Sequence, residues 1–266
     1  MLGWYNPGSK RTNFVIPPYG EYIFEAEKEK LKDLYEINVL HIVSPNPLVE
    51  VRGQNILRPF PLILKLLDKL DGVLHRDEII LTVLACSNDR EKNYVEKAEE
   101  RVRALRGNIL NLEKAYENLM KKQKIKSKDT LRNYTRFILA TLKYLDYAKP
   151  KRVKGIYGNK KVNVYIQTEY AKQKVKEIYK SKDIRSSDLE YFNIRERAAF
   201  ANYMFYHQFR QIGGYKVDQP DVKKEINKVS KISKRIINKF KITENSKILH
   251  FPFQETSKEI FKYNLS

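Results

Sequence analysis

Between residues 121 and 182 the chain carries 19 Lys and Arg but only four acids, Asp129, Asp146, Glu169 and Glu177. The net charge there is +15, out of +20 for all 266 residues. So many charges cannot be withdrawn from water together. Elements formed here must keep one side solvated and give only the other to a core. Residues 21–57 have the opposite balance, seven acids and four bases. Such polarity favours a polyanionic partner, nucleic acid first, over charge spread for general solubility. A solvated basic face or an acidic protein partner is the alternative explanation of the same charge.

The remaining composition sets outer limits. With 42% apolar and 12% aromatic residues the chain can fill a core, which argues against disorder as its main state. Its length suits one large domain or two small ones. No stretch approaches the roughly 18–20 apolar residues that span a bilayer. The opening residues 1–10 lack the apolar run of a secretory signal. A single Cys86 supports neither an intrachain disulfide nor a structural zinc site. A soluble, cytoplasmic protein with no membrane partner is expected.

Along the chain, residues 1–20 read as an extended arm punctuated by Asn6-Pro7-Gly8 and Pro17-Pro18. Periodicity predicts a helix over 21–36, with Phe24, Leu31, Leu34 and Tyr35 as its stripe, and a short strand at VLHIV (39–43). Arg58-Pro59-Phe60-Pro61 sets up a helix to about residue 70, and Gly72 breaks it. A second helix starts near Arg76-Asp77 and runs to about Cys86. A long charged helical stretch over 89–123 should break near Gly107. Ser127 is a good N-cap for a helix over 128–146, with Leu131, Tyr134, Ile138, Leu142 and Leu145 facing inward. Residues 151–167 alternate in two runs joined around Gly158-Asn159, a hairpin signal, and a helix at 168–180 closes the unit. The tail reads as helices over 194–210 and 220–240, then a strand or turn and a short helix within 251–265.

This order predicts a mainly α chain with small β hairpins (α+β). Its expected architecture is a winged helix-turn-helix with a helical insertion and a helical C-terminal part. The expected divisions are an arm with a helix and strand at 1–57, a winged-helix DNA-recognition domain at 58–182, and a helical domain at 183–266.

The chemistry points the same way. On the helix 128–146, Lys128, Arg132 and Arg136 recur at four-residue spacing with Asn133 beside them. In a major groove Arg bonds the O6/N7 edge of guanine in bidentate fashion and Asn bonds the N6/N7 edge of adenine. Lys128 is placed to meet phosphate. The hairpin adds Lys151, Arg152, Lys154, Lys160 and Lys161, with Asn159 at its turn, as a wing along the phosphate backbone. Solvated charges on an amphipathic helix, and edge-strand lysines that block unwanted pairing, are the plainer readings of the same residues. Lys10 and Arg11, beside Trp4 and Tyr5, belong either to an arm on DNA or to a strap packed on the core.

No catalytic set stands out. Metal-dependent phosphodiester cleavage uses acids on a strand pair plus a Lys. The nearest match, Pro220-Asp221 before Lys223-Lys224-Glu225, lies in helical periodicity and is explained by helix initiation. His41, His75, His207 and His250 have no ligand spacing, and no phosphate-cradling Gly motif occurs.

Residues 56–100 carry Pro59-Phe60-Pro61, the apolar run Leu62 to Leu70, Gly72, Asp77-Glu78-Ile79 and Ser87-Asn88-Asp89. This pattern resembles the DNA-recognition region of type II restriction endonucleases, in particular the type IIS group with its nicking-enzyme large subunits. The opening Gly3-Trp4-Tyr5-Asn6-Pro7-Gly8 is similar to the N-terminal stretch of some members. The resemblance covers about residues 1–180. It implies winged-helix recognition units that bind double-stranded DNA. It also implies a PD-(D/E)XK nuclease domain, C-terminal or on a separate subunit, with Mg²⁺ as its cofactor. The sequence departs from the full pattern in having no recognisable nuclease motif, so no cofactor is expected for this chain itself. The alternatives are a non-enzymatic winged-helix protein, such as a plasmid replication initiator or transcription regulator, and a compact nuclease with a cryptic carboxylate set.

Overall fold

The computed structural model describes residues 24–42, 57–184, 186–189, 191–193, 196 and 234–242, with the backbone of 6–7 and 14–15. Contacts divide the chain into two compact units. One runs Gly53–Tyr179, and the other joins Met1–Arg52 to Lys180–Ser266. The architecture is mainly helical with a small three-stranded antiparallel sheet.

In the second of these units, Asn6–Pro7 (β1) pairs antiparallel with Phe14–Val15 (β2). Helix α1 spans Lys28–His41 and buries Leu34, Val39 and Leu40, while Phe24 and Leu31 lie exposed. Val39, Leu40 and His41, expected in a strand, are instead its last turn. A short apolar run does not distinguish strand from buried helix, and no Gly or Pro stops the helix before that point. Farther along, Ile236 and Phe192 are buried, and the Arg235 guanidinium lies 4.9 Å from the Phe192 ring centroid. The sequence expectations at 1–5, 194–195, 197–233 and 243–266 lie outside the described residues.

The unit Gly53–Tyr179 begins with α2 (Pro59–Lys69). Pro59 at the first position fits the fixed proline φ, and Phe60, Leu62, Ile63, Leu64, Leu66 and Leu67 are all buried. The helix stops where Asp71 and Gly72 take φ of +58° and +74°. A Cβ on Gly72 would lie 3.3 Å from the Cβ of Gln167, so this turn needs glycine both for its φ and for its close approach to a strand. Strand β3 (Val73–His75) follows and leads into α3 (Arg76–Ile79), which continues as a wider π-helical stretch over Ile80–Leu84.

The charged stretch then forms two helices, α4 (Tyr94–Leu105) and α5 (Ile109–Gln123), broken at Arg106-Gly107 as the sequence predicts. The Asn108 side chain accepts from the Leu110 N–H at 2.9 Å and caps α5. Helix α6 spans Lys128–Tyr144, with Ser127 Oγ accepting from the Asp129 N–H at 3.2 Å. Strands β4 (Ala148–Gly155) and β5 (Gly158–Gln167) form the hairpin, and α7 (Glu169–Lys180) follows. The sheet order is β3-β5-β4, with β5 central and β4 at the edge.

The core beneath these elements joins Ile80 and Leu81 to Leu105, Leu112, Tyr116, Leu119 and Leu131. Tyr157, from the hairpin turn, completes it. This cluster ties the α4–α5 pair to the rest of the unit.

Polar contacts fix the same junction. His75 Nδ1 accepts from the Asp77 N–H at 3.1 Å, and the His75 N–H donates to Glu78 Oε2 at 2.8 Å, a reciprocal cap at the start of α3. Burial lowers the His75 pKa from 6.5, with Arg132 and Arg106 adding to the effect and Asp77 and Glu78 opposing it. The unfolded chain therefore protonates at higher pH than the fold. The His75 contribution to stability is full above 6.5 and is lost as pH falls towards the depressed folded value. His75→Asn keeps a capping acceptor that does not titrate. Thermal melts from about pH 7 to about pH 5 should therefore show a steeper fall in Tm for the wild type than for this variant. Parallel curves would contradict the role assigned to the neutral ring.

Candidate nucleic-acid interface

Helix α6 buries Leu131, Thr135, Ile138, Leu139, Thr141 and Leu142. That leaves Arg132, Asn133, Arg136, Phe137, Ala140, Lys143 and Tyr144 on the outside. Tyr134 does not face inward as its spacing predicts, and is 60% exposed. Its place in the interior goes to Thr135, whose hydroxyl donates to the Arg132 carbonyl and accepts from Arg76 Nε, each at 2.7 Å. A satisfied hydroxyl can be buried at little cost.

The expected contact residues on this helix sit in different settings. Arg136 and Asn133 are exposed, and among the described residues no acid pairs with Arg136. Lys128 is half-buried, with Nζ 5.7 Å from the Tyr116 ring centroid. Arg132 is partly committed within the fold: its Nη2 lies 3.4 Å from Oδ2 of the buried Asp77. The Asp77 carboxylate is the main reason the Arg132 pKa rises above its ordinary value. Nothing in the spacing of α6 signals this pair, because Asp77 lies 55 residues away.

On the hairpin, Lys151, Arg152, Lys154, Asn159, Lys160 and Lys161 are all exposed. The sequence from Ala148 to Gln167 has six cations and no acid. Among the described residues an ion pair engages Lys149, with Asp146 at 3.5 Å, but none engages the other five. Arg152 stands opposite Asn163, and Lys151 opposite Val164.

The turn differs from the expectation. Gly155 pairs with Gly158 at φ of +93° and +71°, and Ile156-Tyr157 form the turn between them. Asn159 is therefore a strand residue. The tip is fastened inward. Tyr157 is buried, its hydroxyl donates to Glu78 Oε1 at 2.8 Å, and the Gly107 N–H donates to the Ile156 carbonyl at 2.7 Å. Burial, helped by the Glu78 carboxylate, pushes the Tyr157 hydroxyl well above its ordinary pKa. What the hairpin offers to solvent is its cationic shanks, not its tip.

Glu78 is the hub of this arrangement. It is fully buried and also takes Arg106 Nε at 2.8 Å and Nη2 at 3.0 Å in a two-pronged ion pair. Arg106 Nη2 further donates to the Val73 carbonyl at 2.6 Å. One carboxylate thus holds the start of α3, the α4–α5 break and the hairpin turn. Asp89 Oδ2 accepts from the Arg58 N–H at 3.1 Å, joining the helix-opening and polar-break segments.

Lys10, Arg11, Trp4 and Tyr5, along with Asp221 and Glu225, lie outside the described residues. Among the described residues no group of three or more His, Cys, Asp or Glu is placed to hold a metal ion. No described helix is long and apolar enough to cross a membrane. No family model matches this sequence, and no curated protein is a match for it.

Proposed function

We propose that this chain binds double-stranded DNA sequence-specifically, as the recognition domain or subunit of a type II restriction endonuclease. Cleavage is assigned to an associated Mg²⁺-dependent nuclease domain or subunit. The observation that carries the DNA-binding part is the pairing of two solvent-facing cationic elements that follow directly in sequence. Helix α6 leads through a short turn into an acid-free hairpin whose shank cations, Lys149 apart, have no acidic partners among the described residues. An element order of α2, β3, α3, α6, β4, β5 with sheet order β3-β5-β4 supports a winged-helix reading, with α4–α5 inserted before the recognition helix. In this reading α6 enters the major groove, Arg136 and Asn133 read base edges, and the hairpin shanks follow the phosphates. The restriction-endonuclease part rests on the resemblance over residues 56–100.

Selection from a random duplex library tests the reading, and one consensus is expected. Arg136→Ala should then cost about 1–3 kcal/mol on the selected site and relax preference at one position, with a smaller loss on random DNA. Equal losses on both would show that α6 is not the reader. Arg136 is a cleaner probe than Arg132, because Arg132→Ala also strands the buried Asp77 carboxylate.

A further inference from the structure

The outward face of α6 is not uniformly polar. Phe137 lies beside Arg136 and one turn beyond Asn133, and it is 51% exposed. Ala140, one turn beyond Arg136, carries only a methyl group and so lets a partner approach, and Tyr144 extends the apolar strip by another turn. The exposed ring beside these polar groups presents apolar area that a partner can cover. It is also held in place. Its ring meets the fully buried Phe60 edge-on, with centroids 6.0 Å apart and planes at 83°. The strip is therefore a pre-positioned apolar contact set among groups complementary to a polyanion.

In the major groove one base carries an apolar group, the C5-methyl of thymine, and Phe and Ala are side chains that contact it. We infer that Phe137, with Ala140 allowing close approach, reads a thymine methyl. The recognition site then contains an A·T pair beneath the middle of α6. Asn133 and Phe137 are separated by four residues, a rise of about 6 Å along the helix, so they address neighbouring base pairs. This inference rests on the DNA-binding reading above and makes Phe137 a specificity-determining residue within it.

The test compares the selected duplex with copies in which each thymine in turn is replaced by uracil, which removes one methyl and nothing else. Wild-type protein should bind about fourfold more weakly at one position, or at two adjacent ones, the loss expected for one buried methyl. Phe137→Ala should bind the thymine and uracil duplexes alike while keeping the wild-type dependence on salt. The uracil series on wild-type protein needs no variant to fold. Salt-dependent binding that ignores every uracil, or a Phe137→Ala protein that still senses one, overturns this inference and leaves the DNA-binding reading standing. Absence of salt-dependent binding overturns both. A DNA-free dimer that Phe137→Ala dissociates would assign the ring to self-association and overturn the inference as well.

Discussion

Glu78→Ala is expected to destabilise the protein by about 3–5 kcal/mol, the cost of removing one partner from a buried ion pair. Three donors lose their acceptor together: the Arg106 guanidinium, the Tyr157 hydroxyl and the His75 N–H. For a domain at the low end of the usual range of about 5–15 kcal/mol, such a loss would leave it close to unfolded. Tyr157→Phe removes one neutral-to-charged hydrogen bond and should cost less, about 1.5–3 kcal/mol. Denaturant titrations give both values from the shift in midpoint at unchanged slope. A Glu78→Ala loss below about 1 kcal/mol would mean that the carboxylate does not hold the junction. Because the hairpin turn is fastened through Glu78, milder lesions there should also loosen the hairpin before the helices melt. Hydrogen exchange at Tyr157 and Gly107 would report this.

The second large effect concerns binding rather than folding. A variant carrying Lys151→Ala, Arg152→Ala, Lys160→Ala and Lys161→Ala removes four exposed cations, none of them in an ion pair among the described residues. Its stability should therefore stay near wild type, since exposed unpaired charges contribute little to folding. Its affinity for DNA should fall on every sequence alike. The dependence of log K on log salt should flatten by about 3–4, since each lost phosphate contact removes about 0.9 from the slope. An unchanged slope would place the phosphate contacts elsewhere on the protein. A loss confined to one sequence would make the hairpin a reader of bases instead of a clamp on the backbone.

Local chemistry made much of the fold legible. Pro59 and Gly72 mark the ends of α2, Ser127 marks the start of α6, and Arg106-Gly107 marks the break between α4 and α5. Each is a one-residue device whose effect is confined to a turn or so of chain. The failures share a different cause. The spacing of Tyr134 fits the apolar stripe and predicts it inside, yet Thr135 takes that place, with a hydrogen bond from Arg76, 59 residues away. Gly158-Asn159 is a sound local signal that predicts the hairpin turn there. Its true centre at Ile156-Tyr157 depends on a tyrosine reaching Glu78, 79 residues distant. The pairing of Arg132 with Asp77 is of the same kind. For the candidate interface, the sequence shows which residues are cationic and in what order. It does not show which of them the fold has already engaged, or that Phe137 and Tyr144 stand outside among them. Those facts depend on how α6 is rotated about its own axis, which its buried apolar residues and the long-range contacts of Thr135 and Arg132 fix together.

The most direct measurement is the affinity of the intact wild-type chain for a random-sequence duplex across a salt series. If α6 and the hairpin shanks together neutralise about six phosphates, log K should fall against log salt with a slope near −5. A slope near zero, or no binding at the lowest salt, would contradict a surface fitted to the double helix.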